Sequence, residues 1–192
     1  MPNIGRLREF VALSAAAVSK NGTNEDVILA AIKPHLHELL RHDDFLADAY
    51  TQPHPHYYQQ YLLYGDPLEK LSIVSFVWGP GQKTPVHNHR TWGLVGVLRG
   101  AELNTAYHAR DGQLNPEPTT RLTAGEIEAV SPRLGDIHQV ANAYDDRVSI
   151  SIHVYGGNIG RIKREVFVPE TGTAKSFVSG YAPCPTPNLW AN

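Results

Sequence analysis

Gly81-Gln82-Lys83-Thr84-Pro85-Val86-His87-Asn88-His89, answered downstream by Pro132-Arg133-Leu134-Gly135-Asp136-Ile137-His138, is the stretch on which the fold of this 192-residue chain turns. Two histidines at i and i+2 of an extended segment send their imidazoles to one side, because strand side chains alternate. A third histidine after a Gly-Asp turn completes a three-nitrogen face for a metal. Three nitrogens fill half of an octahedral shell and leave the rest open to substrate and oxidant. Neutral imidazole suits iron, zinc, copper and nickel, whereas magnesium, calcium and manganese favour oxygen ligands. A lone histidine is usually an ordinary core or surface residue. Here ligand-like spacing occurs twice, as His-x-His after Gly79-Pro80-Gly81 and as Gly-Asp-x-His.

Around these motifs the periodicity is that of short strands. Ser72 to Trp78 is β-branched and aromatic and stops at the Gly-Pro-Gly turn. Similar runs lie at 93–98, 102–107, 127–130, 139–140, 148–155 and 165–168, separated by turn formers such as Asp111-Gly112 and Asp145-Asp146. So many short strands predict a mainly β fold, a sandwich or small barrel, with its core over residues 71–181. The first 45 residues carry helical spacing in two segments. Ile4, Leu7, Phe10, Val11 and Val18 form one stripe, and Val27, Ile28, Ala31, Ile32 and Leu39 form the second. Asn21-Gly22 is the turn between them, Thr23 with Asp26 reads as an N-cap pair, and Pro34 is expected to kink or break the second helix. Residues 1–192 then form a single domain, with 1–45 a helical extension capping the barrel. The tail from Pro183 is Pro-rich and expected to be irregular.

Composition narrows the partners. The net charge is −2, with 42% hydrophobic and 19% charged residues. Acids and bases are interspersed, so no basic surface calls for nucleic acid or an anionic membrane. The single cysteine, Cys184, makes no internal disulfide and fits a reducing compartment. Arg6 and Arg8 before Phe10 to Val18 mimic a signal peptide, but Glu9 and the amphipathic stripe favour a cytoplasmic protein. No run approaches the ~18 apolar residues needed to span a membrane. Oligomeric state leaves no trace in the sequence.

The two motifs resemble the paired motifs of the cupin superfamily. The first is Gly81, five residues, His87-x-His89 and later Gly100; the second is Pro132-x-x-Gly135-x-x-His138 with Asn142 beyond. This resemblance implies a cupin-type double-stranded β-helix, a jelly-roll barrel, with the helical extension at its N-terminus. The glutamate that usually follows the His pair is missing, since the chain reads Arg90-Thr91-Trp92-Gly93-Leu94. The departure implies a metal set of His87, His89 and His138 with no carboxylate. Such a neutral set leaves the full charge of the metal to attract an anion such as a thiolate. Three further segments, His87 to Gly93, Gly135 to Val140 and Ser149 to Gly156, are similar to bacterial thiol dioxygenases. The nearest likeness is to 3-mercaptopropionate dioxygenase, a relative of cysteine dioxygenase, from about Tyr58 to Tyr181. It implies an Fe(II) enzyme that oxidises a small thiol carboxylate with O2 to its sulfinic acid. 3-Mercaptopropionate is the expected substrate and cysteine the alternative.

Ser149 to Tyr155 alternates, with Ile150, Ile152 and Val154 on one face and Ser149, Ser151, His153 and Tyr155 on the other. By composition this is a half-exposed strand with its polar face in water. The resemblance implies instead that Ser151, His153 and Tyr155 are a catalytic triad beside the iron. It also implies that Arg164 grips the substrate carboxylate, a task suited to a planar, permanently charged fork. Gln60 falls where cysteine-specific relatives carry Arg, and with Gln59 adjacent the register is open by one. Animal cysteine dioxygenases join a Cys to the Tyr; here Gly93 and Leu94 occupy that region and Cys184 is distant, so no cross-link is expected. His54-Pro55-His56 lies in a Pro-rich linker and reads as a decoy, and His35, His37 and His42 as solvated helix residues. His108 is open between a partner of the site and a surface residue. Two readings compete: a cupin binding module without turnover, and a zinc hydrolase or isomerase on the same three histidines.

Overall fold

The stripe of apolar residues near the N-terminus becomes helix α1 (Ile4–Asn21), which buries Leu7, Phe10, Val11, Ser14 and Val18. Gly22, at φ 58°, turns the chain into α2 (Glu25–Leu40). The cap of α2 is Asn24, whose side chain accepts from the Val27 N–H, and not the expected Thr23. Pro34 does not break α2 either. Both Pro34 and Ala30, whose carbonyl loses its helical donor, are exposed, so that carbonyl is left open to solvent rather than buried unpaired. Ile32 and Leu36 on the opposite face are fully buried and hold the helix in place. The computed structural model describes residues 2–191.

Twelve strands follow a short 3-10 turn at Asp48–Tyr50. They are β1 (Gln59–Gly65), β2 (Ser72–Trp78), β3 (Val86–His87), β4 (Gly93–Arg99), β5 (Ala101–Arg110) and β6 (Gln113–Pro116). Then come β7 (Thr120–Thr123), β8 (Ile127–Val130), β9 (His138–Asn142), β10 (Ser149–Tyr155), β11 (Arg164–Val168) and β12 (Thr173–Phe177). One sheet runs β1-β2-β10-β4-β8; the other runs β12-β11-β3-β9-β5, with β6 and β7 both on β5. Every pairing is antiparallel. The protein is thus mainly β, a cupin-type double-stranded β-helix with two helices at its N-terminus.

The two faces of the first sheet do different work. Its outer face meets the helices in one core, where Ile32, Leu36 and Phe10 pack with Ile73, Leu94 and Ile152. Approach is close at Gly96, where a Cβ would come within 2.6 Å of the Leu40 side chain, so a larger residue there would push aside the tips of Leu40 and Leu36. Its inner face joins Val74, Phe76, Trp78, Val140 and Tyr155 in a second cluster. Strand β10 lies between β2 and β4, and all seven of its residues are buried. Its polar face, expected in water by composition, is turned into the barrel: Ser151 is 0% and His153 3% exposed. Strand β1 extends the sheet ahead of residue 71, where the predicted barrel core begins. Its alternation is broken by a register shift between Leu62 and Tyr64, which hides it from a period-two search. Among the described residues, no helix is long and apolar enough to cross a membrane.

Candidate metal centre

His87 closes β3 and lies directly across from His138, the first residue of β9. His89 falls just past β3, in the loop that passes through Arg90 at φ 58°. That loop is shaped by Asp136, whose carboxylate accepts the backbone N–H of His89 at 3.0 Å and of Arg90 at 2.8 Å. The ring centroids of the three histidines are 4.8–4.9 Å apart, and one ring nitrogen from each lies within 4.8 Å of the others. Among the described residues this is the one group of three or more His, Cys, Asp and Glu side chains arranged to hold a metal ion.

Each ring is held through Nδ1 by an acceptor. His87 donates to the Pro85 carbonyl at 3.0 Å, His89 to Asp136 at 2.9 Å, and His138 to Asn104 Oδ1 at 2.8 Å. The Asn104 amide is itself oriented, since its Nδ2 donates to Glu128 at 2.7 Å. With Nδ1 carrying the proton, each Nε2 presents a bare lone pair. His138 Nε2 is buried and has no partner within the protein. Burial is the first cause that pushes all three pKa values down, so the rings stay neutral. Three neutral, converging and pre-oriented nitrogens fit a divalent transition metal. Because Asp136 fixes both the loop and the His89 ring, Asp136→Ala should weaken metal binding by about 10- to 100-fold. Titration of the metal-loaded protein with a competing chelator checks this; an unchanged affinity would show that the loop alone orients His89.

The histidines open into a cavity of about 480 Å3 that Gln60, Trp78, His153, Tyr155 and Arg164 also line. Ser151 Oγ and His153 Nε2 are 2.7 Å apart, and His153 Nδ1 and the Tyr155 hydroxyl 2.8 Å. Trp78 Nε1 donates to Ser151 at 3.2 Å, and Phe76 stacks on the His153 ring at 4.0 Å. Burial lowers the His153 pKa and raises that of Tyr155, so both are neutral at ordinary pH. The Tyr155 ring stacks at 5.5 Å from that of His89. Gly93 lies opposite Tyr155, where an added Cβ would come 2.7 Å from the ring. Cys184 is far from it, packed against the helical core, so no thiol adjoins Tyr155.

Arg164 opens β11 and is 4% exposed. Its Nη2 donates to Ser179 at 2.7 Å, its guanidinium sits 4.7 Å from the Phe177 ring, and its Nε is buried with no partner. In β1, Tyr61 and Leu63 face the helical core while Leu62 packs with the inner cluster. Strand alternation turns Gln60, paired with Phe76, inward, and Gln59 beside it also reaches the cavity wall.

The remaining histidines lie elsewhere. His108 is a surface residue paired with Glu117 at 2.6 Å, and His42 pairs with Glu38 at 3.1 Å. His54 stacks on Tyr57 at 3.8 Å and joins no ligand cluster. Sequence reasoning missed Asn104 and Tyr58, and saw Asp136 only as a turn residue. Tyr58 stacks on Trp78 at 4.9 Å within the cavity wall. Asn104 gave no signal in the sequence: in Glu102-Leu103-Asn104 the two polar residues are buried and Leu103 is half-exposed, inverting the usual strand pattern.

Among solved structures, the chain is similar to a protein with a double-stranded β-helix domain from Klebsiella pneumoniae. Identity is 20%, over 70% of this chain and 96% of the other, with a TM-score of 0.44. A cupin superfamily protein from Desulfitobacterium hafniense is similar at 13% identity, over 61% and 94% of the two chains, with a TM-score of 0.46. Likeness that remote bears on neither substrate nor metal. The match to a family is of another order: the model of cysteine dioxygenase type I matches residues 28–164, from α2 through the histidines and the buried β10 to Arg164. The chain belongs to the cysteine dioxygenase type I family.

Proposed function

We propose that this dioxygenase uses Fe(II) held by His87, His89 and His138 to convert 3-mercaptopropionate into its sulfinic acid. The observation that carries the substrate is the charge in the cavity wall. Arg164 is its one permanently charged side chain among the described residues, and no Asp or Glu lines it. A thiol carboxylate matches that wall, whereas the ammonium group of cysteine would meet a guanidinium and no counter-charge.

In this reading the net reaction adds both atoms of O2 to a thiolate, giving a sulfinate. When bound, Fe(II) supplies the redox-active centre at which thiolate and O2 are brought together. The protein supplies position and electrostatics. Arg164, braced by Ser179, takes the carboxylate through two N–H groups, and Gln60 adds an uncharged donor. Tyr58, Phe76 and Trp78 give the cavity a stacked aromatic wall. Tyr155 offers its hydroxyl toward the histidine face, held at a fixed angle by His153 and Ser151. Cys184, a free thiol, fits the cytoplasmic setting that goes with the same reading.

Oxygen uptake by the iron-loaded protein with 3-mercaptopropionate, cysteine and cysteamine tests the proposal. The expected result is a kcat/KM for 3-mercaptopropionate at least about tenfold above that for cysteine, one unpaired ammonium being worth about 1.4 kcal/mol or more. Equal or better turnover of cysteine would overturn the substrate. No uptake with any thiol would overturn the dioxygenase in favour of a binding module.

A further inference from the structure

The segment that carries His87 and His89 is fastened to the strand that carries Arg164 on the face away from the cavity. Strand β3 pairs antiparallel with β11, His87 opposite Val166, so Asn88 comes next opposite Glu165, and His89 then opposite Arg164. Cross-strand partners share a face and successive pairs alternate. His87, His89, Val166 and Arg164 accordingly line the cavity, whereas Asn88 and Glu165 do not. These two meet directly behind it.

The strands part at this pair, and a side chain replaces the bond they lose. Asn88 N–H donates to the Glu165 carbonyl at 3.1 Å. In a regular ladder the Glu165 N–H would return to the Asn88 carbonyl. Here the chain turns away through Arg90 at φ 58°, and Glu165 N–H donates instead to Asn88 Oδ1 at 2.9 Å. The other half of the amide is used as well. Its Nδ2 donates to Glu165 Oε2 at 2.9 Å, while Arg90 Nη2 holds Glu165 Oε1 at 3.2 Å. Asn88 is 9% exposed, so little water competes for these bonds. Three of them join the residue between two histidines to the residue beside Arg164. The site asks for an acceptor and a donor on one short side chain. Aspartate would set carboxylate against carboxylate, and alanine would leave the Glu165 N–H unpaired.

The backbone ladder alone holds this junction weakly, since β3 is two residues long and meets β11 at two positions. Asp136 ties His89 to the turn before β9, and Ser179 ties Arg164 to the chain beyond β12, but neither links the two. A thiol carboxylate has to reach both ends, with sulfur at the histidine face and carboxylate at Arg164. We propose that the Asn88–Glu165 clamp is a positioning element that fixes the separation of these anchors and so selects thiol acids by chain length. The anchors are those of the dioxygenase reading, on which this selection rests. Cysteine and 3-mercaptopropionate have the same length, so the clamp does not depend on which of them is the substrate.

Binding can be read without turnover in the Co(II)-loaded protein kept free of O2, through its thiolate-to-cobalt absorption. Mercaptoacetate, 3-mercaptopropionate and 4-mercaptobutyrate differ by one methylene each. The parent should bind 3-mercaptopropionate at least about tenfold tighter than either of the others, the usual worth of a methylene in a fitted site. Asn88→Ala and Asn88→Asp should bring the three affinities within about threefold of one another, because a loosened span no longer rejects the misfits. Chelator competition should leave Co(II) affinity within about threefold of the parent, since Pro85 and Asp136 orient the His87 and His89 rings. Asn88→Asp combined with Glu165→Gln puts a donor back against an acceptor and should recover the parent's preference. An undiminished preference in Asn88→Ala or Asn88→Asp would overturn the proposal. So would weakened Co(II) binding with the preference intact, or a double variant that recovers nothing. If Asn88→Ala does not fold by circular dichroism, the same-sized Asn88→Asp and its double variant decide. In the iron-loaded protein Asn88→Ala should lower kcat/KM for 3-mercaptopropionate by about 100-fold, the cost of a misplaced reactant. A parent that shows the length preference but takes up no oxygen with any thiol would refute the dioxygenase and leave the clamp standing. A parent that binds and oxidises all three acids alike would do the reverse.

Discussion

His138→Ala should give a folded protein that binds less than stoichiometric iron and forms sulfinate at less than about a thousandth of the normal rate, because a metal held by two imidazoles loses both affinity and its facial geometry. The fold should survive. His138 is 6% exposed, but its Nε2 makes no bond within the protein, and its one internal partner, Asn104 Oδ1, would face a cavity that water can enter. Circular dichroism and thermal unfolding would show the fold, metal analysis the iron, and an oxygen electrode the rate. His108→Ala, on the surface beside Glu117, is the control expected to match the parent. Undiminished activity in His138→Ala would remove the three-histidine centre from consideration.

The same rings make a statement about pH. The unfolded histidines take up protons near 6.5, while His87, His89, His138 and His153 resist doing so because they are buried. The unfolded state therefore binds more protons as the pH falls through that value, and stability falls with it. Bound metal sharpens the effect, since a ligating nitrogen cannot also carry a proton.

How much of this was legible beforehand depended on whether the relevant pattern was local. His87, His89 and His138 could be read because turn and strand spacing encode a shared face, and the helices because Leu7, Phe10 and Val11 recur at the right period. The fate of β10 could not be read from its own residues. Alternation announced two faces, but only pairing with β2 and β4 on either side shows that neither meets water. What reversed the reading was family resemblance, not composition. Asn104 escaped for the opposite reason: its burial inverts the normal pattern, and a strand that buries its polar side makes sense only once the cavity behind it is known. Thr23 was a local error, and Pro34 did not break its helix. Propensity named them, and the packing of Ile32 and Leu36 and the reach of Asn24 decided otherwise.

Arg164→Met should lower kcat/KM for 3-mercaptopropionate by about 10²- to 10³-fold, largely through KM, while leaving the unfolding temperature unchanged or higher. The two halves of this expectation have one cause. A guanidinium that is 4% exposed, with one bond to Ser179 and a bare Nε, is a buried charge without a counter-ion, and burial already pulls its pKa down. Replacing such a charge with an apolar side chain of similar length relieves a cost in the free protein. A substrate carboxylate relieves the same cost on binding, and bonds to a buried charge are worth several kcal/mol, about 1.4 per tenfold in affinity. Phe177, at 4.7 Å, steadies the guanidinium plane and should pack as well against a thioether. Discrimination should change with the charge. Cysteamine, which carries an ammonium and no carboxylate, is repelled by Arg164 and should be oxidised relatively better by Arg164→Met. Arg164→Lys should rescue only part of the loss, because an ammonium cannot hold Ser179 and both carboxylate oxygens in one plane. Steady-state oxygen uptake with the two thiols and a thermal melt decide the matter. If Arg164→Met bound 3-mercaptopropionate as the parent does, the carboxylate grip would have to lie elsewhere in the cavity, with Gln60 and Tyr58 the neighbours to examine.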